Sequence, residues 1–547
     1  MNYNIDIHCH SSSKPFMSGI GQQSLNPFQY FPFKVEHPIY ALLKKPLEKF
    51  SHIRLASQSN FDFLFAGGVK VAMVSLTPME KAFTVLNKDH DTKIKQFIKS
   101  LLKESSSYQE GFIGSKSINA LTGYSTADID GIKRVYYDIY NDLLKQEIDY
   151  LAQFKGSKSP NGLYTVQFPN NYAELQENLK DAGNLNILLT VEGAHSFGSN
   201  RVLPDIIGGR KNTHQKDTHN VLIAVDICKH IQEVKTTSPL RIHSVGLCHH
   251  FWNGLAGHCR SMDNLMAGLL NQEEGINAPL MSAGEMVIDE LAKTSSQGKT
   301  VKPITLDIKH MSPMARKNFY AYRKKNADLK NMPLLCSHTG VSMSFENLDK
   351  WIKYVKDNPL ERNGRTYQDG AYFLHEQSIN LCREDLVEMY HSDGLLGIQL
   401  DEKRIMGPLA LKDFKERTKD TSKDERNYLY AKSIWANIFC AIDELRLAKV
   451  SDLKKAWDMF AIGSDFDGLI NHLDTFESAA KMNDLKTAMS YFLLEPENIR
   501  LFYQDEANQY NLYVEDIHSL KCNYSDQEII EKVFSQNAMR FLEKTFK

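Results

Sequence analysis

The chain lacks most of the features that would assign it to a special class of protein. Its eight cysteines are scattered over 547 residues without one Cys-x-x-Cys pair, which predicts reduced, mostly buried thiols instead of a disulfide framework. The net charge is only -2 and no long basic run occurs, which argues against a nucleic-acid partner. No apolar stretch approaches the length of a membrane span, and the N-terminus lacks a basic region followed by an apolar run. We therefore expect a soluble, cytoplasmic protein without a membrane partner.

The chain does contain an alternation of short, apolar, β-rich runs with longer segments of helical character. This alternation predicts repeated strand–helix units and a parallel sheet, and near-continuous apolar runs suit strands that are buried on both faces. The eight predicted strands are Asn4–His8, Val69–Leu76, Asn186–Glu192, Ile242–Cys248, Pro303–Ile308, Pro333–Ser337, Leu395–Leu400 and Phe460–Ser464. Eight such strands fit a closed α/β barrel of the (β/α)8, or TIM, type.

The connecting segments are much longer than this fold requires, since a barrel of this type needs only roughly 250 residues. We predict a single barrel domain over residues 1–547, with insertions near 77–185, 196–240, 254–300, 340–390 and 402–455. Lys93–Lys103 and Ser282–Lys293 are predicted helices, and Ser282 followed by Glu285 resembles a capping box.

Imidazole and acidic side chains stand at the ends of the predicted strands. The first strand ends in His8-Cys9-His10, and two histidines spaced by one residue on an extended segment point the same way, so both can reach one ion. The third strand ends in Glu192 followed by Gly193, where a carboxylate could bridge two cations. The other strand ends of this kind are Cys248-His249-His250, Asp307-Ile308-Lys309-His310, Ser337-His338 and Ser464-Asp465.

Six of the eight predicted strand ends therefore carry histidine, aspartate or glutamate. In barrel enzymes the catalytic groups come together from several strands at this C-terminal rim. Imidazole and carboxylate groups without thiolate pairs suit Zn²⁺, or else Mn²⁺ or Fe²⁺. Two ions about 3.5–4 Å apart would share a hydroxide and lower its pKa, which provides a nucleophile at neutral pH. The pattern predicts a hydrolase with a two-metal site.

Motifs along nearly the whole chain resemble one known family. The matching stretches are IDIHCH (5–10), AGGVKVAMVSL (66–76), LLTVEGAHSF (188–197), SVGLCHHFWN (244–253), MSAGEMVIDEL (281–291), LDIKHMS (306–312), PLLCSHT (333–339), DGLLGIQL (393–400), AIGSDFDG (461–468) and SQNAMRFLEK (535–544). The combination of LDIKHMS, CSHT and GSDFDG is the specific part. On these motifs the chain resembles the renal (membrane) dipeptidase family of the amidohydrolase superfamily.

The resemblance implies a (β/α)8 barrel with a binuclear, usually zinc, centre that cleaves a peptide or amide bond of a small substrate, such as a dipeptide, with a metal-bridging hydroxide. By position, His8 and His10 would hold the first ion, and Glu192 would bridge both ions. His310 and His338 would hold the second ion.

The resemblance also implies the catalytic residues. Asp465 would lie beside the bridging water as a ligand, take its proton and deliver it to the leaving amine. A histidine at the end of the fourth strand would bind the substrate carbonyl or its oxyanion. Counting from the strand favours His249, whereas the spacing to Asn253 favours His250, so both are candidates.

Two departures from the family pattern affect the predicted site. The dipeptidases commonly have His-x-Asp on the first strand, whereas this chain has His8-x-His10, and the site would thereby lose one negative charge. The family often places an arginine before an asparagine-containing segment after the sixth strand, to hold the terminal carboxylate of the substrate. The corresponding stretch, 377–380, reads QSIN and has no arginine, so Arg362, Arg365 or another cation would have to substitute.

Two other classes of protein compete with the dipeptidase interpretation. The start IDIHCHSSS looks like the opening of phosphoesterases of the polymerase-and-histidinol-phosphatase type, but GSDFDG replaces their late His-x-His or Asp-x-His motif. A non-catalytic barrel that binds metal is the other alternative, although all six predicted metal-ligand positions keep competent side chains. The sequence does not determine the oligomeric state; a homodimer is the first candidate for an oligomer, since dimers are the commonest soluble oligomers.

Overall fold

The computed structural model describes residues 3–17, 26–30, 56–85, 113–122, 124–134, 137–199, 217–262, 270, 272–296, 298–343, 345–357, 372–417, 421–505 and 508–547. The predicted helix Lys93–Lys103 lies outside these residues.

All eight predicted barrel strands are present, and their bounds differ from the predicted ones by no more than two residues at either end. The barrel strands are β1 (Asn4–Cys9), β2 (Val69–Leu76), β4 (Asn184–Val191), β5 (Ile242–Gly246), β8 (Thr305–Asp307), β9 (Leu335–Thr339), β10 (Leu395–Ile398) and β11 (Phe460–Ile462). Almost every residue in them is buried, because one face packs inside the barrel and the other against helices. The short strands outside the barrel are β3 (Thr165–Gln167), β6 (Ser295–Ser296), β7 (Lys299–Thr300), β12 (Ile499–Asp505) and β13 (Asn508–Leu512).

The barrel strands pair in parallel around a closed circle. Their order is β2-β1-β11-β10-β9-β8-β5-β4, and β4 pairs with β2 to complete the ring. The register at the ring closure pairs Ser75 with Thr190, and β1 pairs with β11 through Asp6 and Ile462. The predicted (β/α)8 barrel is therefore confirmed, and all eight strand C-termini meet at one rim.

Helices connect the strands and cover the barrel. In chain order they are α1 (Ser13–Met17), α2 (Phe61–Ala66), α3 (Ser115–Thr122), α4 (Thr126–Lys133), α5 (Lys145–Ala152), α6 (Tyr172–Asn178), α7 (Asp217–Thr237), α8 (Ser282–Ala292), α9 (Pro313–Lys325), α10 (Ala327–Lys330), α11 (Leu348–Asp357), α12 (Arg383–His391), α13 (Glu402–Ile405), α14 (Pro408–Arg417), α15 (Lys423–Leu447), α16 (Met482–Leu494), α17 (Val514–Leu520), α18 (Asp526–Glu531) and α19 (Asn537–Thr545). Shorter 3₁₀ or π-helical turns are Lys81–Thr84, Tyr140–Leu144, Ala194–Phe197, Leu453–Asp458, Ala479–Lys481 and Lys532–Gln536. Among the described helices, none is long and apolar enough to cross a membrane.

One helix has the predicted start but not the predicted cap. The helix predicted over Ser282–Lys293 is present as α8, but its N-cap is Met281, without a side-chain cap hydrogen bond. The predicted capping box is wrong, because Ser282 is already the first helical residue and the amide of Glu285 donates to the carbonyl of Met281. A serine inside the first turn cannot cap the turn that it belongs to.

A second, smaller hydrophobic cluster lies beside the barrel rim. It combines residues that follow β2, such as Met79 and Tyr124, with Phe251 and Met262 from the segment after β5. The insertion between β2 and β4 thus packs against the insertion after β5 on the side where the strands end. All eight cysteines are free, six of them buried.

Candidate metal centre and active site

Glu192 lies at the middle of a cluster of histidines at the barrel rim. Its Oε1 is 2.9 Å from Nε2 of His310 and 3.4 Å from Nε2 of His338. Its Oε2 is 3.5 Å from Nε2 of His10 and 3.8 Å from Nε2 of His8. Oε2 therefore faces His8 and His10 at the end of β1. Oε1 faces His310, which follows β8, and His338, which lies on β9.

Asp465, just beyond β11, completes the cluster on the side of β1. Its Oδ1 is 3.2 Å from Nε2 of His10 and 3.7 Å from Nε2 of His8, and its Oδ2 is 4.0 Å from Nε2 of His338. Gln399, after β10, donates a 2.6 Å hydrogen bond to Oδ2. The six residues that the sequence predicts as metal ligands are thus brought together, although four of them are more than a hundred residues from the first two.

The donor atoms fit divalent metal ions. Three groups each place one donor atom per residue within 4.8 Å of one another, and all their members are buried: His8, His10 and Glu192; His8, His338 and Asp465; Glu192, His249 and His310. Imidazole and carboxylate donors in such groups are the ligand set of Zn²⁺ and related ions. The resemblance implies that His310 and His338 hold the same ion. In the structure His338 groups with His8 instead, and His249 groups with His310.

The histidines of the cluster differ in their pKa values. Burial opposes the charged form of His10, but the hydrogen bond to Asp465 and the charge of Glu192 outweigh it and raise the pKa of His10 to about 9. Burial lowers the pKa of His310 to about 3 and, with the charge of His8, holds the pKa of His338 well below its usual value. His310 and His338 are therefore neutral imidazoles with lone pairs to donate.

The backbone is strained at two of these residues. His310 has a φ of 67° and Asp465 a φ of 60°, in the left-handed region that residues other than glycine rarely adopt. Each such residue costs on the order of 1–3 kcal/mol, and such strain persists where the surrounding structure holds a functional side chain in place. Gly193, directly after Glu192, has a φ of 91°, and a Cβ there would lie 2.4 Å from the ring of His195.

His249 and His250 have different surroundings. His249 has Nε2 3.6 Å from Oε2 of Glu192 and Nδ1 2.8 Å from Oε1 of Glu80. Nδ1 of His250 lies 2.6 Å from the hydroxyl of Ser261 instead, with the two imidazole rings 3.7 Å apart. Of the two candidates, His249 is the one whose ring nitrogen reaches the metal cluster.

Glu80 is a site residue that the sequence analysis missed. Besides its 2.8 Å contact with Nδ1 of His249, it accepts hydrogen bonds from the backbone amides of His250 and Phe251, at 3.1 and 3.2 Å. Burial alone would raise the pKa of Glu80, but His195 and His249 lower it, and the charges of Glu192 and Glu80 raise the pKa of His249 against its burial. Glu80 follows β2 in an insertion, and no motif in its neighbourhood marked it.

Two buried aspartates hold the strand ends in register. Asp6 accepts hydrogen bonds from the amides of His8 and Ser464 and from the Ser464 hydroxyl, which joins β1 to the segment after β11. Asp307 accepts from the amides of Lys309 and Ser337, which joins β8 to β9. Each aspartate stands two or three residues before a metal-site histidine, and this spacing is a signal that the sequence analysis could have used.

Two further titratable residues of the matching motifs, His195 and Asp467, lie outside the metal cluster. Nε2 of His195 lies 3.2 Å from the carbonyl of Pro78. Asp467, in the GSDFDG motif, forms a 2.6 Å ion pair with the buried Lys14 and accepts from the amides of Gln58 and Ser59. Asp467 thus fixes the loop that carries Asp465, while its own carboxylate is occupied.

A small cavity opens beside the cluster. It has a volume of about 90 Å³, and the residues that line it include His10, Thr77, Glu192, His249 and His250. The wall opposite the histidines comes from the insertion after β2 and includes Met79, Phe83 and Tyr124. The arrangement provides one buried carboxylate pair, several imidazoles and space for a small molecule next to them.

Arg404, a buried cation from another part of the chain, contacts the 377–380 segment. Arg362 and Arg365 lie outside the described residues. Arg404, on α13, donates a 2.7 Å hydrogen bond to Oε1 of Gln377, and Asn380 donates to the carbonyl of Arg404. The sequence analysis missed Arg404 because it follows β10, one strand further along the barrel than the expected position.

No protein-family model matches the chain, and no curated protein matches it. Several solved structures are similar to it. A metallopeptidase from Rhodobacter sphaeroides, liganded with a phosphinate mimic of the dipeptide L-Ala-D-Ala, is 12% identical with a TM-score of 0.43, and the match covers 99% of this chain and 99% of that one.

Two dipeptidases are similar to the chain to the same degree. Dipeptidase AC, a metallopeptidase, is 13% identical with a TM-score of 0.42, over 93% of this chain and 96% of its own. A probable dipeptidase from Pseudomonas aeruginosa is 10% identical with a TM-score of 0.41, over 89% of each chain. Sequence identities and TM-scores this low support no inference about activity. Such an inference has to rest on the geometry of the site.

Proposed function

We propose that the protein is a metal-dependent hydrolase that cleaves a peptide or amide bond of a small substrate, with a dipeptide as the leading candidate. The observation that carries this proposal is Glu192, whose two carboxylate oxygens face two separate sets of histidines in a buried pocket. A carboxylate in that position suits two ions at once, with His8 and His10 on one side and His310 on the other. His338 lies between the two sets as a further ligand.

The metal ions would supply Lewis acidity and lower the pKa of a water held between them. The ions held there would be divalent, and Zn²⁺ would be the best match to a donor set of imidazoles and carboxylates. Because His10 stands where an aspartate would add a negative charge, the centre has two carboxylates, Glu192 and Asp465, to balance two dications.

Asp465 is the proton carrier in the proposed reaction. It lies among the donor atoms of His8, His10 and His338, and its contact with Gln399 keeps one oxygen oriented. From there it takes a proton from the attacking water and passes it to the leaving nitrogen of the substrate. Without that second transfer an amine leaves poorly, which is why a carboxylate beside the water suits amide hydrolysis.

His249 binds the carbonyl oxygen of the substrate. Glu80 lies 2.8 Å from Nδ1 of its imidazole, and Glu192 and Glu80 raise the pKa of His249 against its burial. These carboxylates favour the doubly protonated ring, in which Nε2 also carries a proton and stabilises the negative charge that develops on that oxygen. The cavity beside it, at about 90 Å³, is narrow, which supports a small substrate over a protein or a long peptide.

The proposal is tested by metal analysis combined with an activity screen. Purified protein is expected to contain two divalent ions per chain and to hydrolyse members of a panel of L,L- and L,D-dipeptides, N-acyl amino acids and lactones. Hydrolysis of a generic phosphate ester without any dipeptidase activity would favour the phosphoesterase alternative. Protein without divalent metal, and without gain on addition of zinc, would favour the non-catalytic barrel.

A further inference from the structure

The cavity beside the metal cluster is lined in part by apolar side chains that the proposed chemistry does not use. These side chains, called the apolar wall below, are Met17, Met79, Phe83, Tyr124 and Leu469. Neither the activation of water nor the transfer of its proton requires them. They share a small space with residues of the metal cluster, so a substrate held at the metal centre would contact them.

The apolar wall is particular to this chain. None of its five residues lies in the stretches on which the resemblance to the dipeptidase family rests. Met79, Phe83 and Tyr124 belong to the insertion between β2 and β4, Met17 is the last residue of α1, and Leu469 directly follows the GSDFDG motif. The family resemblance therefore implies nothing about the wall.

The part of the wall that comes from the insertion is held in place by its neighbours. The amide of Met79 donates a 2.9 Å hydrogen bond to the hydroxyl of Tyr124. The ring of Phe83 packs edge-on against His250 and Phe251, with centroids 5.3 and 5.0 Å apart. Because these side chains are already ordered, a ligand that contacts them loses little affinity to the cost of ordering the pocket.

Leu469 lines the same cavity from a strained backbone. Its φ is 61°, in the left-handed region, and its side chain is only half-buried. A bulky residue other than glycine rarely adopts this conformation, and such strain is retained chiefly at functional sites and ligand contacts. Here the conformation keeps an aliphatic side chain on the lining of the cavity.

The described lining offers no unpaired charge outside the metal cluster. Lys14 and Asp467 form a 2.6 Å ion pair with each other, and Lys14 also donates to the carbonyl of Ala56. His250 is neutral, because burial and the charge of His249 hold its pKa well below the usual value. A charged substrate group against the wall would lose its water without gaining a partner, so the wall selects against it.

The volume of the cavity limits the size of an apolar group. The cavity measures about 90 Å³. An apolar cavity of about 150 Å³ accommodates benzene, with six carbons. In proportion, the cavity beside the metal cluster holds three or four carbons, which is the size of a valine or leucine side chain.

We propose that the apolar wall binds the side chain of the acyl residue of the substrate, so that the protein selects amides whose acyl residue carries an aliphatic side chain of three or four carbons. This inference rests on the proposed function, because it names the substrate class of the same site. That side chain begins two bonds from the attacked carbonyl carbon. His249, which binds the carbonyl oxygen, lines the same cavity as the wall.

The test measures binding of four hydroxamates, which chelate the metal centre and need no turnover. Acetyl, 3-methylbutanoyl, succinyl and 3-phenylpropanoyl hydroxamates present no side chain and side chains like those of valine, aspartate and phenylalanine. Each is titrated calorimetrically into the zinc-loaded protein. The 3-methylbutanoyl probe should bind roughly sixtyfold more tightly than the acetyl probe, at about fourfold for each buried carbon. The succinyl and 3-phenylpropanoyl probes should bind more weakly than the 3-methylbutanoyl probe.

The possible results separate this inference from the proposed function. Equal affinity for the acetyl and 3-methylbutanoyl probes, or tighter binding of the succinyl or 3-phenylpropanoyl probe, would overturn the inference while the hydrolase stands. The expected order of affinities without hydrolysis of any amide would support the wall and contradict the proposed activity. No binding of any hydroxamate would contradict the metal centre and this inference together.

A size change assigns the preference to the wall. Met79→Ala enlarges the cavity, so it should weaken binding of the 3-methylbutanoyl probe by roughly tenfold and strengthen binding of the 3-phenylpropanoyl probe. A poorly folded variant cannot gain affinity, so the gain separates the wall from a loss of structure. Met539→Ala, at a similarly buried methionine on α19, should keep the wild-type order.

Leu469→Ala provides a second variant on a different segment. It should likewise weaken binding of the 3-methylbutanoyl probe and leave the acetyl probe unchanged, because only the longer probe reaches the wall. Equal weakening of both probes by Leu469→Ala, or an unchanged order of affinities in Met79→Ala, would contradict the assignment.

Discussion

Asp465 has one carboxylate oxygen beside an imidazole and the other on a side-chain amide, which holds the group in place and still leaves it able to accept a proton. Oδ1 lies 3.2 Å from His10, and Oδ2 accepts the 2.6 Å hydrogen bond of Gln399. The left-handed backbone at Asp465 and the ion pair of Asp467 with Lys14 fix the loop that presents it.

Asp465→Asn is expected to lower turnover by about 10²- to 10⁴-fold, the usual contribution of a positioned acid–base group. Much of the metal should remain bound, because the amide oxygen still acts as a ligand whereas the amide cannot carry the proton. Turnover and metal content are measured on the same preparation, with Asp328→Asn on the surface as the matched control. Turnover at the wild-type rate in Asp465→Asn would contradict the role of Asp465 as proton carrier.

Glu80→Gln is expected to lower kcat by roughly tenfold to a hundredfold, the value of one charge-assisted hydrogen bond, with a smaller change in KM. The reason is that Glu80 orients His249 and takes no part in substrate binding itself. The measurement is a double-mutant cycle with His249→Ala, in which the second substitution should add little to the first. Additive losses would show that Glu80 and His249 act separately.

At the scale of secondary structure, the sequence predicted the short barrel strands. It did not predict the helix cap of α8 or the packing of the insertion after β2. The apolar runs that form the barrel have a composition that suits only buried strands, so β2 was predicted to the residue. The start of α8 was predicted at the right residue, but the capping role of Ser282 was wrong, because serine is found both as a cap and as a first helical residue. The insertion after β2 brings Glu80 to His249 by tertiary packing, for which local sequence has no signature.

The link between β5 and α19 should make stability depend on pH. His243 on β5 is buried against Phe541 and Phe546, with Nε2 2.9 Å from the hydroxyl of Thr545. Burial and the charge of Arg241 lower its pKa to about 3, whereas the unfolded chain titrates near 6.5. Between these values the unfolded state binds the extra proton, so this contribution is complete above the unfolded pKa and is lost as the pH falls.

His243→Phe should therefore lose less stability on acidification than the wild type, by about 2 kcal/mol at pH 5. Phenylalanine removes the titrating group and fits among the neighbouring aromatic rings. Thermal unfolding midpoints near pH 7.5 and pH 5 measure the effect, and the exposed His518→Asn serves as control. An acid-induced loss equal to that of the wild type would refute the contribution of His243.

At the scale of the whole molecule, the metal cluster connects distant parts of the chain. Its residues follow or belong to β1, β4, β5, β8, β9 and β11, so ions bound there join six of the eight barrel strands. Ligands that bind only the folded state stabilise it by mass action, by about 2.7 kcal/mol at a hundredfold excess over the dissociation constant.

Removing metal with a chelator is expected to lower the unfolding midpoint, and adding zinc back should restore it. Glu192→Ala should abolish most of this response, because a bridging carboxylate serves both ions. The measurement is thermal unfolding with and without chelator for both proteins. A midpoint that is unaffected by chelation, or two fully occupied metals in Glu192→Ala, would contradict the bridged centre.

The sequence by itself determined the barrel and the six residues gathered at its rim. Buried parallel strands require near-continuous apolar runs, and the polar residues that end those runs must meet where the strands do. Only the tertiary structure decided that His249 and not His250 faces Glu192, that Glu80 lies against His249, and that Arg404 contacts Gln377. Those relations join loops that are far apart in sequence, and their geometry depends on how the insertions pack, which no local pattern of residues encodes.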